Sequence, residues 1–278
     1  MPLPNEINLP LTDNGSVSML LNRIPADRFF MGARGYYSDE QPAHEVSIPF
    51  DFYLGKYPVT QQQFAVWTES AAIEHTNHFP DKDAHPAENM SWHEAMHYCQ
   101  WLSERYQLMG KKHEGWPDDY LCALPSEAQW EFGCSAWQEI TVADDATQRH
   151  YTEYHTGDGL AAMHEAGWFE GNSDSNTQPV GQKQPNRHGL HDMHGNVDEW
   201  CADVWDKDAY RRRVGVAENP RLTGGDDAYR VFRGGSWSDP ATDCRAAYRY
   251  RWLPGVRFRL RGFRVGLFPV HSRQNQQK

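Results

Sequence analysis

The chain has 278 residues, a net charge of -11, 13% aromatic residues with 11 Trp, and a mean hydropathy of -0.81. That length can bury a sizeable core, and so many rings exclude a disordered chain, which lacks the aromatics to build one. The acidic balance argues against nucleic acid and anionic membranes as partners of the protein as a whole, and no apolar run reaches the ~20 residues that span a bilayer.

Five cysteines, odd in number and without a C-x-x-C, point to a reducing, cytoplasmic setting and no disulfide framework. Residues 1–20 read as a polar leader without the basic and apolar regions of a signal peptide. "HEVSIPFDFYLGKYPV" then reads as short strands, because β-branched and aromatic residues come in brief runs bounded by Pro and Gly. Three helix starts follow, each an N-cap hydroxyl with Glu or Gln three residues later: Thr60 with Gln63, Ser91 with Glu94, and Ser126 with Gln129. From about Thr141 onward helical periodicity fades into Gly-, Asn-, Asp- and Pro-rich turns joined by short strands. The fold class is α+β: few helices, short strands and much irregular structure. One domain is expected over residues 21–270, with a polar tail at 271–278.

"HEAMH" at His93–His97 matches a zinc-protease motif, but Glu94 sits at a capping position and both histidines share a face with Gln100 and Glu104. The pattern reads as a solvated helix face. Cys99 and Cys201 read as core residues. Cys244 is a candidate thiolate, because arginine neighbours lower a thiol's pKa. "DMHGNVDE" gathers Asp192, Asn196, Asp198 and Glu199 around Gly195, which suits either a calcium site or a turn held by hydrogen bonds.

Near the end, "RAAYRYRWLPGVRFRLRGFRV" alternates apolar residues with arginines about a Leu-Pro-Gly break. One reading is a hairpin with apolar residues inward and Arg outward. Another is a single-stranded nucleic-acid surface combining charge with stacking, which the overall charge opposes.

Segments in order along residues 22 to 268 resemble the formylglycine-generating-enzyme (sulfatase-modifying factor) family. They are "FFMGARG", "HEVSIPFDFYLGKYPVTQQQF", "HPAENMSWHEAMHYCQWLS", "ALPSEAQWEF", "NTQPVGQKQPNRHGLHDMHGNVDEWCADVW", "RVFRGGSW" and "GFRVGL". The resemblance implies a C-type-lectin-like fold. It also implies structural calcium on the side chains of Asp192 and Glu199 and the backbone of Gly195 and Val197. Asp198 stands where family members usually carry Trp. Catalytic members hold copper between two cysteines; here Asp239 takes the first position and Cys244 the second, so no copper is expected. An oxidoreductase using Cys244 and a metal is the alternative activity.

A second branch is similar at the C-terminus: the variable proteins of diversity-generating retroelements. Their variable segment derives from template Asn codons with randomised adenines. Tyr250, Leu253, Gly255, Val256, Phe258 and Leu260 are all reachable that way, and the intervening arginines would be fixed scaffold. This implies a non-enzymatic protein that binds a protein or other macromolecule. The expected surface comprises Trp237, Asp239, Tyr248, Tyr250, Trp252, Leu253, Gly255, Val256, Phe258 and Leu260.

Overall fold

The computed structural model describes residues 2–110, 113, 115–134, 137–141, 147–213 and 215–271. The expected tail at 271–278 lies almost wholly outside them.

Residues expected to form a polar leader instead build the edge of a sheet. Strand β1 (Glu6–Pro10) pairs antiparallel with β2 (Ser18–Ile24), and Ile7, Leu9, Leu11 and Met19 are buried. The cause is period-two alternation: Ile7 and Leu9 face the core while Glu6 and Asn8 face out. Next come β3 (Asp27–Met31), β4 (His44–Ile48) and β5 (Phe52–Gly55).

All three helix starts form as their caps predict. Helix α1 (Gln61–Ser70) carries a reciprocal Thr60–Gln63 box. Helix α2 (Trp92–Gly110) begins where Ser91 N–H donates to Glu94 at 2.9 Å and Glu94 N–H donates to Ser91 Oγ at 3.2 Å. After β6 (Tyr120–Ala123), helix α3 (Glu127–Cys134) opens on the same exchange between Ser126 and Gln129, at 2.9 and 3.2 Å. Each box satisfies backbone N–H groups that a helix start leaves free. Phe64 and Trp67 of α1 pack with Tyr98, Leu102 and Tyr106 of α2 in one apolar cluster that also takes Ile7, Leu9 and Phe263. Every residue of α3 is buried, with Trp130 and Phe132 in a second cluster.

The remaining elements are β7 (Trp137–Thr141) with β8 (Thr147–Tyr151), helix α4 (Gly159–Ala166), β9 (Asp198–Val204), helix α5 (Ala209–Arg212) and β10 (Ala217–Glu218). They end with β11 (Arg230–Arg233), β12 (Tyr250–Trp252), β13 (Arg261–Gly262) and β14 (Gly266–Pro269). Helix α4 falls in the region where no helix was expected.

Two sheets position the C-terminal segment. The larger runs β1-β2-β5-β14-β6, so the last strand lies between β5 and β6. The other runs β12-β11-β9-β13. The segment between β11 and β14 therefore begins and ends in paired strands, with its middle free to form a surface.

Candidate functional site

Of the seven arginines from Arg245 to Arg264, Arg245, Arg249, Arg261 and Arg264 point inward, opposite to the hairpin reading, whereas Arg251, Arg257 and Arg259 are exposed. Arg245 is bidentate on Glu40 at 2.8 and 2.9 Å, Arg249 on Glu127 at 2.5 and 2.8 Å, and Arg264 on Glu199 at 2.8 and 3.0 Å. All six side chains are buried. Arg233 adds a bond to Glu127 at 2.7 Å and another to Glu131. Burial alone would raise the pKa of Glu127, but Arg249 and Arg233 overcome it and hold the carboxyl at about 2. A planar guanidinium with two parallel donors fixes direction as well as distance. These pairs tie an irregular stretch to elements far away in sequence.

The break in the segment is anchored as well. Trp92 N–H, at the start of α2, donates to Pro254 O at 2.9 Å. Arg257 donates to both oxygens of Glu94 at 2.5 and 2.9 Å. Glu94 is thus a cap and an ion-pair partner, and His97 is exposed on the outer face of α2, as a solvated helix face requires.

With Arg245, Arg249 and Arg264 anchored, the segment turns rings and aliphatic chains outward. Tyr250 is 43% exposed, Trp252 38%, Leu253 43%, Val256 37% and Phe258 40%. Gly255 is exposed, and Tyr248 and Leu260 are half-buried. Trp237 departs from the expected surface: it is buried, packed edge-on against Phe79 with Arg259 over its ring. Asp239 is half-buried and accepts from Ser236 Oγ at 2.5 Å.

Residues from the front of the chain extend this surface. Tyr37 meets Tyr248 edge-on at 5.6 Å, and Arg245 lies 3.7 Å from the ring centre of Tyr36. Tyr36 and Tyr37 are 44% and 52% exposed. Two adjacent tyrosines in a polar loop were the available sequence signal, but nothing local ties them to residues 200 positions away.

Cys244 is fully buried, and burial, with Asp239 and Asp198 adding to it, pushes its thiol well above the usual range. The arginines expected to lower it are paired elsewhere. A buried neutral thiol is a poor nucleophile and a poor metal ligand.

The side-chain donors of "DMHGNVDE" are engaged within the protein. Both oxygens of Glu199 are held by Arg264, and Trp130 Nε1 donates to one of them at 2.7 Å. Asp192 accepts from Gly181 N–H at 2.7 Å, and burial raises its carboxyl to about 6. A cation bound by Glu199 would face the guanidinium of Arg264. Val197 is buried in the turn, and Gly195 makes its close bend. At φ +82°, a Cβ there would lie 1.9 Å from Trp168 O, so only glycine allows that close backbone approach. Among the described residues no group of three or more His, Cys, Asp or Glu side chains is placed to hold a metal. No helix among them is long and apolar enough to cross a membrane.

Short curled sheets, few helices and a long irregular C-terminal half define a C-type-lectin-like fold, and solved structures of that fold superpose on it. Variable protein 1 of Treponema denticola matches with a TM-score of 0.76 and 25% identity, covering 96% of this chain and 100% of that one. PvdO of Pseudomonas aeruginosa matches with a TM-score of 0.72 and 22% identity, covering 96% and 99%. The family model of the sulfatase-modifying factor enzyme 1-like domain matches residues 16–267, and the chain belongs to that family. Among curated relatives, the serine/threonine-protein kinase pkn1 of Chlamydia caviae is 29% identical over 262 residues, 87% of this chain but 37% of its own length. The formylglycine-generating enzyme of Mus musculus is 29% identical over 179 residues, 62% of this chain and 39% of its own. The chain thus spans well under half the length of these relatives.

Proposed function

We propose that the chain is a non-enzymatic ligand-binding protein that displays a diversified C-terminal surface, in the manner of diversity-generating-retroelement variable proteins. The observation that carries this reading is the inversion of the segment. Arg245, Arg249 and Arg264 are buried and locked to carboxylates, and Tyr250, Trp252, Leu253, Val256 and Phe258 are exposed. Side chains on such a frame can change without disturbing the core. Exposed rings with few rotatable bonds give contact area at low entropic cost, as in antibody paratopes. Exposed apolar residues gathered on one segment suit an interaction site. Similarity over the whole chain to a variable protein supports the reading. The buried Cys244 beside Asp239 weighs against the oxidoreductase alternative. The ligand is a protein or other macromolecule, with Trp252 and Phe258 as central anchors.

Sequencing the DNA around the gene tests the proposal. The expected result is a near-copy of the stretch coding for Arg233 to Val265, differing almost only at its adenines, with a reverse-transcriptase gene beside it. Absence of both overturns it.

A further inference from the structure

Most buried arginines of the C-terminal segment hydrogen-bond a carboxylate, and Arg261 does not. It is 4% exposed, its Nε and Nη1 are buried without an acceptor, and no hydrogen bond leaves its guanidinium among the described residues. Rings enclose it instead: Phe232 at 4.5 Å, Trp252 at 4.8 Å, Phe258 at 4.9 Å and Trp200 at 5.5 Å. Aromatic faces attract a cation but accept no strong hydrogen bond. A buried guanidinium without an acceptor is costly, because it stays charged and loses its water.

Asp198 and Asp239 lie close enough to attract Arg261 through space, but neither accepts a hydrogen bond from it. Asp198 keeps its place only as the strand neighbour of Arg261. Burial raises the carboxyl pKa of Asp239. The adjoining turn carries another buried donor without an acceptor, Trp237 Nε1. Two of the rings on Arg261, those of Trp252 and Phe258, are the exposed ones, and exposed side chains change rotamer in ps–ns.

We propose that Arg261 anchors a carboxylate-binding subsite beneath the display surface, entered between Trp252 and Phe258. The inference rests on the display reading and names the chemistry of its ligand. A diversified surface varies its rim, while this floor stays basic and donor-rich. The carboxylate belongs to an acidic side chain or to a chain terminus, the two sources having the same chemistry.

Titration of the full chain with phenylacetate, followed by tryptophan fluorescence, tests the subsite, with phenylacetamide as the neutral control. Phenylacetate is expected to bind at least tenfold tighter. Equal affinities, or no binding of phenylacetate, overturn the proposal. Arg261→Met is expected to erase the preference, and a retained preference overturns it. Should that variant fail to fold, the acid–amide comparison on the unaltered protein still decides. Two short peptides, each with a single carboxylate at a Glu side chain or at the C-terminus, then identify the source; binding of neither overturns the proposal. The display reading stands or falls separately, on the genomic template copy.

Discussion

Arg249 grips Glu127 with two parallel hydrogen bonds, at 2.5 and 2.8 Å, across 122 positions of sequence. Glu127 is also the first residue of α3 and accepts from Arg233. Helix start, β11 and the C-terminal segment thus meet at one carboxylate. Breaking a buried pair from one side leaves an uncompensated charge, typically at a cost of about 3–5 kcal/mol. Glu127→Ala is expected to lose at least that, because it removes the carboxylate of Arg249 and leaves Arg233 with Glu131 as its sole carboxylate. Urea denaturation checks it, and a loss below about 1 kcal/mol would show that the pair does not organise the segment.

The exposed rings should behave differently. Trp252→Ala and Phe258→Ala are each expected to change stability by less than about 1 kcal/mol, since substitutions at exposed positions are usually small in effect. Both should abolish binding of the macromolecular ligand. Thermal melts alongside binding assays separate the two effects. Variants that unfold would make these rings part of the core, contrary to the display reading.

Asp198 gives a pH signature. Its folded pKa is raised, by burial first and by Asp239 second, from an ordinary value of 3.8. The folded state therefore binds more protons than the unfolded one above that value, and stability falls as pH rises. The contribution is fully present below the unfolded pKa and is lost toward the folded one. Asp198→Asn removes the titration while keeping the shape. Its melting temperature relative to the parent is expected to be higher at pH 8 than at pH 5. A difference independent of pH would contradict the assignment.

Chelation separates a metal-held turn from one held by an arginine. With Arg264 on Glu199, EDTA and added calcium are both expected to leave the melting temperature unchanged. Arg264→Met should lower it substantially, because Glu199 would be left as an uncompensated buried charge. A stabilisation by calcium that saturates at one equivalent would restore the ion to the turn.

All five cysteines are buried, so thiol reagents should label the native protein slowly and the urea-unfolded protein at once. Rapid native labelling of Cys244 would reopen the oxidoreductase alternative.

Much of the front half was legible because its signals are local. A capping box spans four residues, and Thr60, Ser91 and Ser126 each start a helix where the box lies. The first strand was missed although Ile7 and Leu9 alternate with polar residues; flanking prolines and asparagines made the stretch look polar. In the C-terminal segment, alternation suggested one inward and one outward set. Yet from Tyr250 to Arg259 all but Pro254 are exposed, and the inward set is Arg245, Arg249, Arg261 and Arg264. That choice depends on carboxylates at Glu40, Glu127 and Glu199, and no spacing rule links them to Arg245, Arg249 and Arg264. Arg261 resembles its neighbours in sequence, and burial without a hydrogen-bond acceptor sets it apart in space.

The placement of β14 bears on how the surface withstands damage and load. This strand is paired on both sides, with β5 and with β6, and β13 is paired with β9. Cutting the chain between Leu253 and Phe258 would leave a C-terminal fragment whose strands are laced into both sheets. Both halves of a chain nicked there should stay in register and travel as one particle through gel filtration. Tension applied by a bound ligand would be shared by strand pairs sheared along their length, and the core would carry the load rather than the rings that make contact.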